Sequence, residues 1–115
     1  MESDIFCKII NKEVESSPVY EDDDFIVIND KFPQAPVHVL IIPKKHVDGI
    51  HNLSEEKGGV LEKMLLVAAK VVKIVGIEQS GYRLIVNQGP DSEGGVPHLH
   101  MHVLGGKKLG AKIVQ

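Results

Sequence analysis

The sequence has no tryptophan, one cysteine, two tyrosines and three phenylalanines. It also lacks long hydrophobic runs, internal repeats and low-complexity segments. Each scarcity excludes something. A single cysteine, Cys7, cannot build an intramolecular disulfide framework and fits a reducing compartment. The longest unbroken apolar run, Met64 to Ala69, falls far short of the roughly 20 residues that a membrane span needs. The start Met1-Glu2-Ser3-Asp4 is acidic and leads into only a few apolar residues, unlike a signal peptide with its basic start and apolar core. A formal net charge of -3 gives no field for nonspecific attachment to nucleic acid or to an acidic membrane, so any phosphate must be held locally. What remains is a cytoplasmic globular protein of 115 residues, 43% hydrophobic and 25% charged, long enough for one domain and too short for two.

Asp4 to Lys12 carries Ile5, Phe6, Ile9 and Ile10 at helical spacing, which predicts a short amphipathic helix; Ser16-Ser17-Pro18 marks its end. Val19-Tyr20 and Phe25 to Asn29 read as two strands joined by the acidic turn Glu21 to Asp24. That run is a solvated turn rather than a metal site, because nothing else gathers ligands there. Pro33 and Pro36 make Asp30 to Pro36 a loop, since neither fits a central ladder. Val37 to Ile42 is a β-branched strand stopped by Pro43, with one polar interruption, His38.

From Ser54 the period changes. Ser54 as N-cap, Glu55 and Glu56 behind it and Gly76 as stop frame a long helix. Val60, Leu61, Met64, Leu65, Ala68, Val71, Val72 and Val75 form the face that covers a sheet. Leu66, Val67, Ala69 and Ile74 widen it, which implies deeper burial or contact with a second copy of the chain. Gly81 to Asn87 is a further strand. Gln88 to Pro97 is a turn-rich return in which Gly89, Gly94 and Gly95 let backbone amides approach an anion. Ile113-Val114 closes the chain as an edge strand or a loose end.

That return leads into His98-Leu99-His100-Met101-His102-Val103-Leu104, around which the chain is organised. As a strand, this stretch points Leu99, Met101 and Val103 into the core and aligns three imidazoles on the opposite face, roughly 6.6 Å apart. Three groups that titrate near neutrality in one row call for a chemical reason. Two chemistries use them. A His-x-His pair chelates a metal ion, with a third ligand from His38, His46, Cys7 or a carboxylate. Alternatively, a neutral imidazole attacks phosphorus, with the flanking histidines, backbone amides and Asn87 positioning and neutralising the phosphate.

The stretch HLHMHVL matches the signature of the histidine-triad (HIT) superfamily, and DIFCKIINKE, YEDDDFIVINDKFPQAPVHVLIIPKKH, GYRLIVNQG and HVLGG are similar to its HINT branch of nucleoside phosphoramidases. The resemblance implies a single HIT domain over residues 1–115. Its fold would be α+β, an antiparallel sheet of about five strands with one long and one short helix, forming a two-fold dimer with a continuous sheet. It implies binding of purine nucleotides and cleavage of a bond at the α-phosphate. Position by position, His100 matches the nucleophile, His102 the residue on the phosphate oxygens near the leaving group, and His98 and His38 the supporting histidines. Asn87 matches a phosphate-side contact and Asp30 the carboxylate that accepts ribose hydroxyls. Ile9, Phe6 and Ile28 match an apolar base slot, although each would be core in any fold.

The chain also departs from that pattern. Where relatives commonly carry a Ser or Thr as proton relay to the leaving amine, it has Gly95, with Gly94 and Val96 beside it on the nucleotide side; either Ser92 substitutes for that hydroxyl or the amidase step is slower. The Trp-Pro-Pro-Gly run of many relatives does not occur. Zinc-binding relatives pair a Cys-x-x-Cys with a histidine at the position of His46, whereas this chain has Asp4-x-x-Cys7. The missing thiolate weighs against an ion held by Asp4, Cys7, His46 and His98, so no cofactor is expected and His46 and His51 read as a structural or surface pair. The expectation is a nucleoside 5′-phosphoramidate hydrolase acting through a nucleotidyl-His100. Dinucleoside polyphosphate cleavage, a nucleotide-binding interaction protein with little turnover, and a metal-binding module are the alternatives.

Overall fold

In the computed structural model of the protein, residues 4–12, 17–54, 59–92 and 96–111 are described. Five antiparallel strands form one sheet: β1 (Tyr20–Glu21), β2 (Phe25–Asn29), β3 (Val37–Pro43), β4 (Tyr82–Ile85) and β5 (Met101–Gly105). Their order is β1-β2-β3-β5-β4. The alternation in the sequence decides what each face holds. Phe25, Val27, Val39, Ile41, Met101 and Val103 point to one side. There they pack with Met64, Val67, Ala68, Val71 and Val72 of the long helix α2 (Gly59–Ile74) in the larger core. Ile26, Ile28, Leu40 and Ile42 point to the other side, where Phe6 and Ile9 of the short helix α1 (Ile5–Ile10) join them. A sheet covered on both faces explains why β2 and β3 read as nearly continuous apolar runs.

The α1 helix starts where Asp4 accepts the Cys7 amide at 2.7 Å, an N-cap that satisfies one of the orphan donors of the first turn. Strand β4 is shorter than Gly81 to Asn87: Gly81 has φ +109° and stays outside the ladder, and pairing stops after Ile85. Ser54 is not helical, residues 55–58 lie outside the described residues, and α2 turns out of its helical path before Gly76, which has φ +77°. The inward face of α2 is narrower than its apolar spacing implied. Leu65, expected inward, is 51% exposed, and Leu66 and Ile74 are 58% and 55% exposed, whereas Val67 is buried. A straight helix buries only about a 100° stripe against one sheet, so the widest apolar flank is left in solvent. Gly94, Gly95 and Ile113-Val114 lie outside the described residues. Among the described residues, no helix is long and apolar enough to cross a membrane.

Candidate active site

The histidine stretch enters the sheet later than its alternation implied. His98, Leu99 and His100 precede β5, which begins at Met101 and pairs with β3 through Leu40↔His102 and His38↔Leu104. Leu99, Met101 and Val103 go to the α2 side as expected. The imidazole side is not open along its length. Helix α1 covers its first part, so His98 is fully buried and His100 is 6% exposed, while His102 is half-buried. The Phe6 ring stands edge-on to both, with centroids 5.8 Å from His98 and 4.9 Å from His100.

Hydrogen bonds assign the tautomers of the neutral rings. The Gln34 amide donates to His38 Nδ1 at 3.0 Å, which leaves the His38 proton on Nε2. That N–H donates to His102 Nδ1 at 2.9 Å, so His102 carries its own proton on Nε2. His100 Nδ1 donates to the His98 carbonyl at 2.7 Å, which leaves Nε2 of His100 as a lone pair. The rings of His100 and His102 are 5.2 Å apart. Adjacent positions on one face thus present one nitrogen that attacks and one that donates. Burial, then the neighbouring His100 and His38, push His102 down to about 4. Burial also lowers His100, outweighing its bond to the His98 carbonyl. Both rings are therefore neutral at pH 7.

Asp30, at the end of β2, is half-buried; Oδ1 accepts the Phe32 amide at 2.8 Å and Oδ2 lies 3.5 Å from His38 Nε2. The Pro-containing loop therefore does two things: its Asp30 turn shapes the backbone, and its Gln34 amide sets the His38 tautomer. Gln34 was not legible as a site residue, because the group that matters is an amide every non-proline residue carries. Phe6, Ile9 and Ile28 lie together in one buried cluster, with Val96 packed against it. Asn87, half-buried, follows two residues after Ile85, the register partner of His102. Gly95 lies outside the described residues. Ser92 Oγ donates to the Gly89 carbonyl at 2.9 Å, which commits that hydroxyl to its own turn and away from a relay.

A second cluster forms under α1. His46 does not pair with His51, which is exposed on a short 3-10 turn. Instead His46 Nδ1 lies 3.4 Å from Cys7 Sγ and 3.4 Å from Asp4 Oδ2. His98 Nδ1 lies 3.6 Å from Cys7 Sγ and 3.2 Å from Asp4 Oδ2. The outer nitrogens are committed, His46 Nε2 to Asp48 at 2.7 Å and His98 Nε2 to the Pro43 carbonyl at 3.0 Å. These residues can hold a metal ion: the four donor atoms lie within 4.8 Å of one another. Asp48 was missed in the sequence, although His46 and Asp48 two residues apart in extended chain share a face.

A HIT domain model matches residues 11–109. An uncharacterized HIT-like protein of Chlamydia muridarum is 45% identical over 107 residues, 93% of this chain and 84% of that protein. The purine nucleoside phosphoramidase of Escherichia coli strain K12 is 44% identical over 109 residues, 95% of this chain and 92% of that protein. Among solved structures, a HIT family hydrolase from Clostridium thermocellum superposes with a TM-score of 0.94 at 45% identity, covering 99% of each chain. A histidine triad protein from Clostridium difficile gives 0.92 at 42% identity, covering 98% of this chain and 100% of that one. The match over most of the chain agrees with the row of imidazoles and the five-stranded sheet behind it: the protein belongs to the HIT domain family and is a hydrolase of that family.

Proposed function

We propose that the protein hydrolyses purine nucleoside 5′-phosphoramidates to the nucleoside monophosphate and an amine, with the nucleotide carried transiently on His100. The observation that carries this reading is the pair of opposed tautomers, a lone pair on His100 Nε2 beside an N–H on His102 Nε2. In the first step His100 Nε2 attacks the α-phosphorus while the His102 Nε2 N–H donates to a phosphate oxygen, the P–N bond breaks, and the departing amine takes its proton from solvent water. In the second, water attacks the phosphorus and gives up a proton to solvent, the P–Nε2 bond breaks and the monophosphate leaves. A fixed donor and a fixed acceptor supply the positioning on which phosphoryl transfer mainly depends. Asp30 suits ribose hydroxyls, the Phe6, Ile9, Ile28 and Val96 cluster suits an apolar base, and Asn87 suits the phosphate side. The phosphoramidase named in Escherichia coli, at 44% identity, supports the same substrate class.

The test is intact mass of the protein and its His100→Ala variant after rapid mixing with an adenosine phosphoramidate, followed by release of AMP. One nucleotidyl group on the protein, absent from the variant, is the expected result. AMP release unchanged in the variant overturns the role of His100. AMP binding without adduct or product overturns the enzyme reading in favour of a nucleotide-binding interaction protein.

The same chain is proposed to form a two-fold dimer. Leu65, Leu66 and Ile74 on α2 and Tyr82 on the edge strand β4 are all exposed. An exposed apolar helix flank and a strand at the sheet edge, β4, are what a continuous sheet across two copies would cover.

A further inference from the structure

We propose that the cleft between β4 and the segment 106–111 receives the departing group of the substrate, and that its cations select a departing group carrying an extended chain of negative charge.

Strand register gives the placement. Ile28 pairs with Leu40, Leu40 with His102 and His102 with Ile85, so these four residues form one row across the sheet on the imidazole face. The nucleoside takes the Ile28 end, a step that rests on the phosphoramidase reading and its base slot at Phe6, Ile9 and Ile28. With the phosphorus at His102, the Ile85 end is left for the other half of the substrate. Displacement in line points the same way, because a group leaving opposite His100 travels along β5 toward Leu104. Leu104 is the register partner of Arg83, which therefore stands on the same face, roughly 6.6 Å beyond Ile85.

That end of the sheet opens into a cleft of about 1130 Å³ bordered by Arg83, Ile85, Asn87, Lys107 and Lys108. Asn87, which suits the phosphate side, joins the cleft to the reacting centre. The far wall is fixed by two devices. Gly106, at φ +89°, turns the chain back after β5, and a Cβ there would stand 3.0 Å from Pro36 Cβ. Arg83 then fastens the returning segment, donating through Nη2 to the Gly110 carbonyl at 3.1 Å and through Nη1 to the Ala111 carbonyl at 3.4 Å. Pairing of β4 edges in a two-fold dimer uses backbone groups in the plane of the sheet and leaves the side chains of Arg83 and Ile85, which stand off that plane, to the cleft.

Charge and size select the occupant. The chain has a formal net charge of -3, yet this cleft gathers Arg83, Lys107 and Lys108 with no carboxylate among the described residues that border it. Lys107 and Lys108 are exposed and have no ion-pair partner among the described residues. Arg83 is committed to two carbonyls and keeps its charge. Cations gathered on a concave surface raise the local potential and draw in an anion. A single small amine would fill little of the space. Three extended residues span roughly 10 Å, enough to set an amine at the phosphorus and carboxylates beyond the Arg83 row. A chain of phosphates presents the same charge over a similar reach, so the test separates the two.

The test measures kcat/KM of the full chain for two adenosine 5′-phosphoramidates joined through the peptide amine, one of glycyl-aspartyl-aspartate and one of its neutral isostere glycyl-asparaginyl-asparaginamide. Diadenosine tetraphosphate, which loses ATP from the α-phosphorus, is the third substrate. The acidic conjugate is expected to exceed the neutral one by about fivefold or more, since exposed ion pairs each contribute modestly, and salt at about 0.5 M is expected to erase the difference. Lys107→Gln with Lys108→Gln abolishes the preference, mainly through KM, while Lys107→Arg with Lys108→Arg keeps it. Tetraphosphate cleaved faster than the acidic conjugate, with the same dependence on the lysines, assigns the anion to a phosphate chain; the reverse order assigns it to carboxylates. Equal values for the acidic and neutral conjugates, with the tetraphosphate no faster, overturn the selection and leave the phosphoramidase reading standing. A preference that the glutamine variant retains overturns the role of the lysines. AMP released from none of the three substrates overturns the phosphoramidase reading and the cleft with it.

Discussion

His38 Nε2 lies 2.9 Å from His102 Nδ1, and the other ring nitrogen of His38, Nδ1, accepts the Gln34 amide. A backbone N–H in a proline-containing loop thereby decides which nitrogen of a histidine on a different strand carries a proton. Removing the middle of this chain frees the His102 tautomer without touching His102. We expect His38→Ala to lower kcat for an adenosine phosphoramidate by about tenfold or more, and His102→Ala by about 10²–10³-fold, the usual range for a donor aimed at developing charge. Steady-state kinetics of the two variants checks the order; His38→Ala as damaging as His100→Ala would give His38 a direct role instead.

The pH profile follows from the lowered histidines. Attack needs His100 unprotonated, and its burial holds it below the ordinary 6.5. His102 sits at about 4. The acid limb of kcat/KM for the free enzyme is therefore expected below pH 6.5, with a plateau from there through neutrality. A limb centred at or above 6.5 would contradict the burial seen for these rings.

Stability should follow acid in the same direction. His102 is about 4 when folded and 6.5 when unfolded, so between these values the unfolded chain holds more protons. Stability is complete above pH 6.5 and is lost as pH falls toward 4. Asp4 adds to the loss at lower pH: burial works to raise it, but the Cys7 amide and the contact with the His98 ring together hold it below its ordinary value. Urea midpoints measured at pH 7.5 and 5 are expected to fall with acid, and a rise would refute the assignment.

Leu66 is 58% exposed on α2. In a two-fold dimer, Leu66→Glu places a charge in the apolar seam and shifts the sedimentation coefficient to that of a monomer. In a monomer the same change moves stability by no more than about 0.5 kcal/mol. Sedimentation velocity of both proteins decides, and a monomeric wild type removes the dimer.

A Cβ at Gly105 would stand 2.8 Å from Ile77 Cδ1 and 3.0 Å from the Gly81 carbonyl oxygen. The side chain can give way and the backbone oxygen cannot. Gly105→Ala is expected to cost about 1–3 kcal/mol, as overpacking does, while Gly59→Ala, with open space around it, costs nothing of that size. Chemical denaturation of the pair measures the contrast.

Sequence alone determined the strands β2, β3 and β5 and both helices, because apolar period reports which residues must leave water wherever a segment is long enough to show one. It also marked out the three imidazoles, since alternation places side chains i and i+2 on one face whatever the rest of the fold does. Period does not report how far a stripe is covered: Leu65 reads like Met64's neighbours on the inner face, yet lies outside it. Tertiary structure decided the rest. Which nitrogen of each histidine holds a proton depends on the amide of Gln34 and the carbonyls of His98 and Pro43, groups that sequence cannot distinguish from any other backbone. The meeting of Asp4, Cys7, His46 and His98 depends on α1 lying across the sheet, and donor atoms from three separate stretches of chain acquire a common chemistry only when the folded chain brings them together.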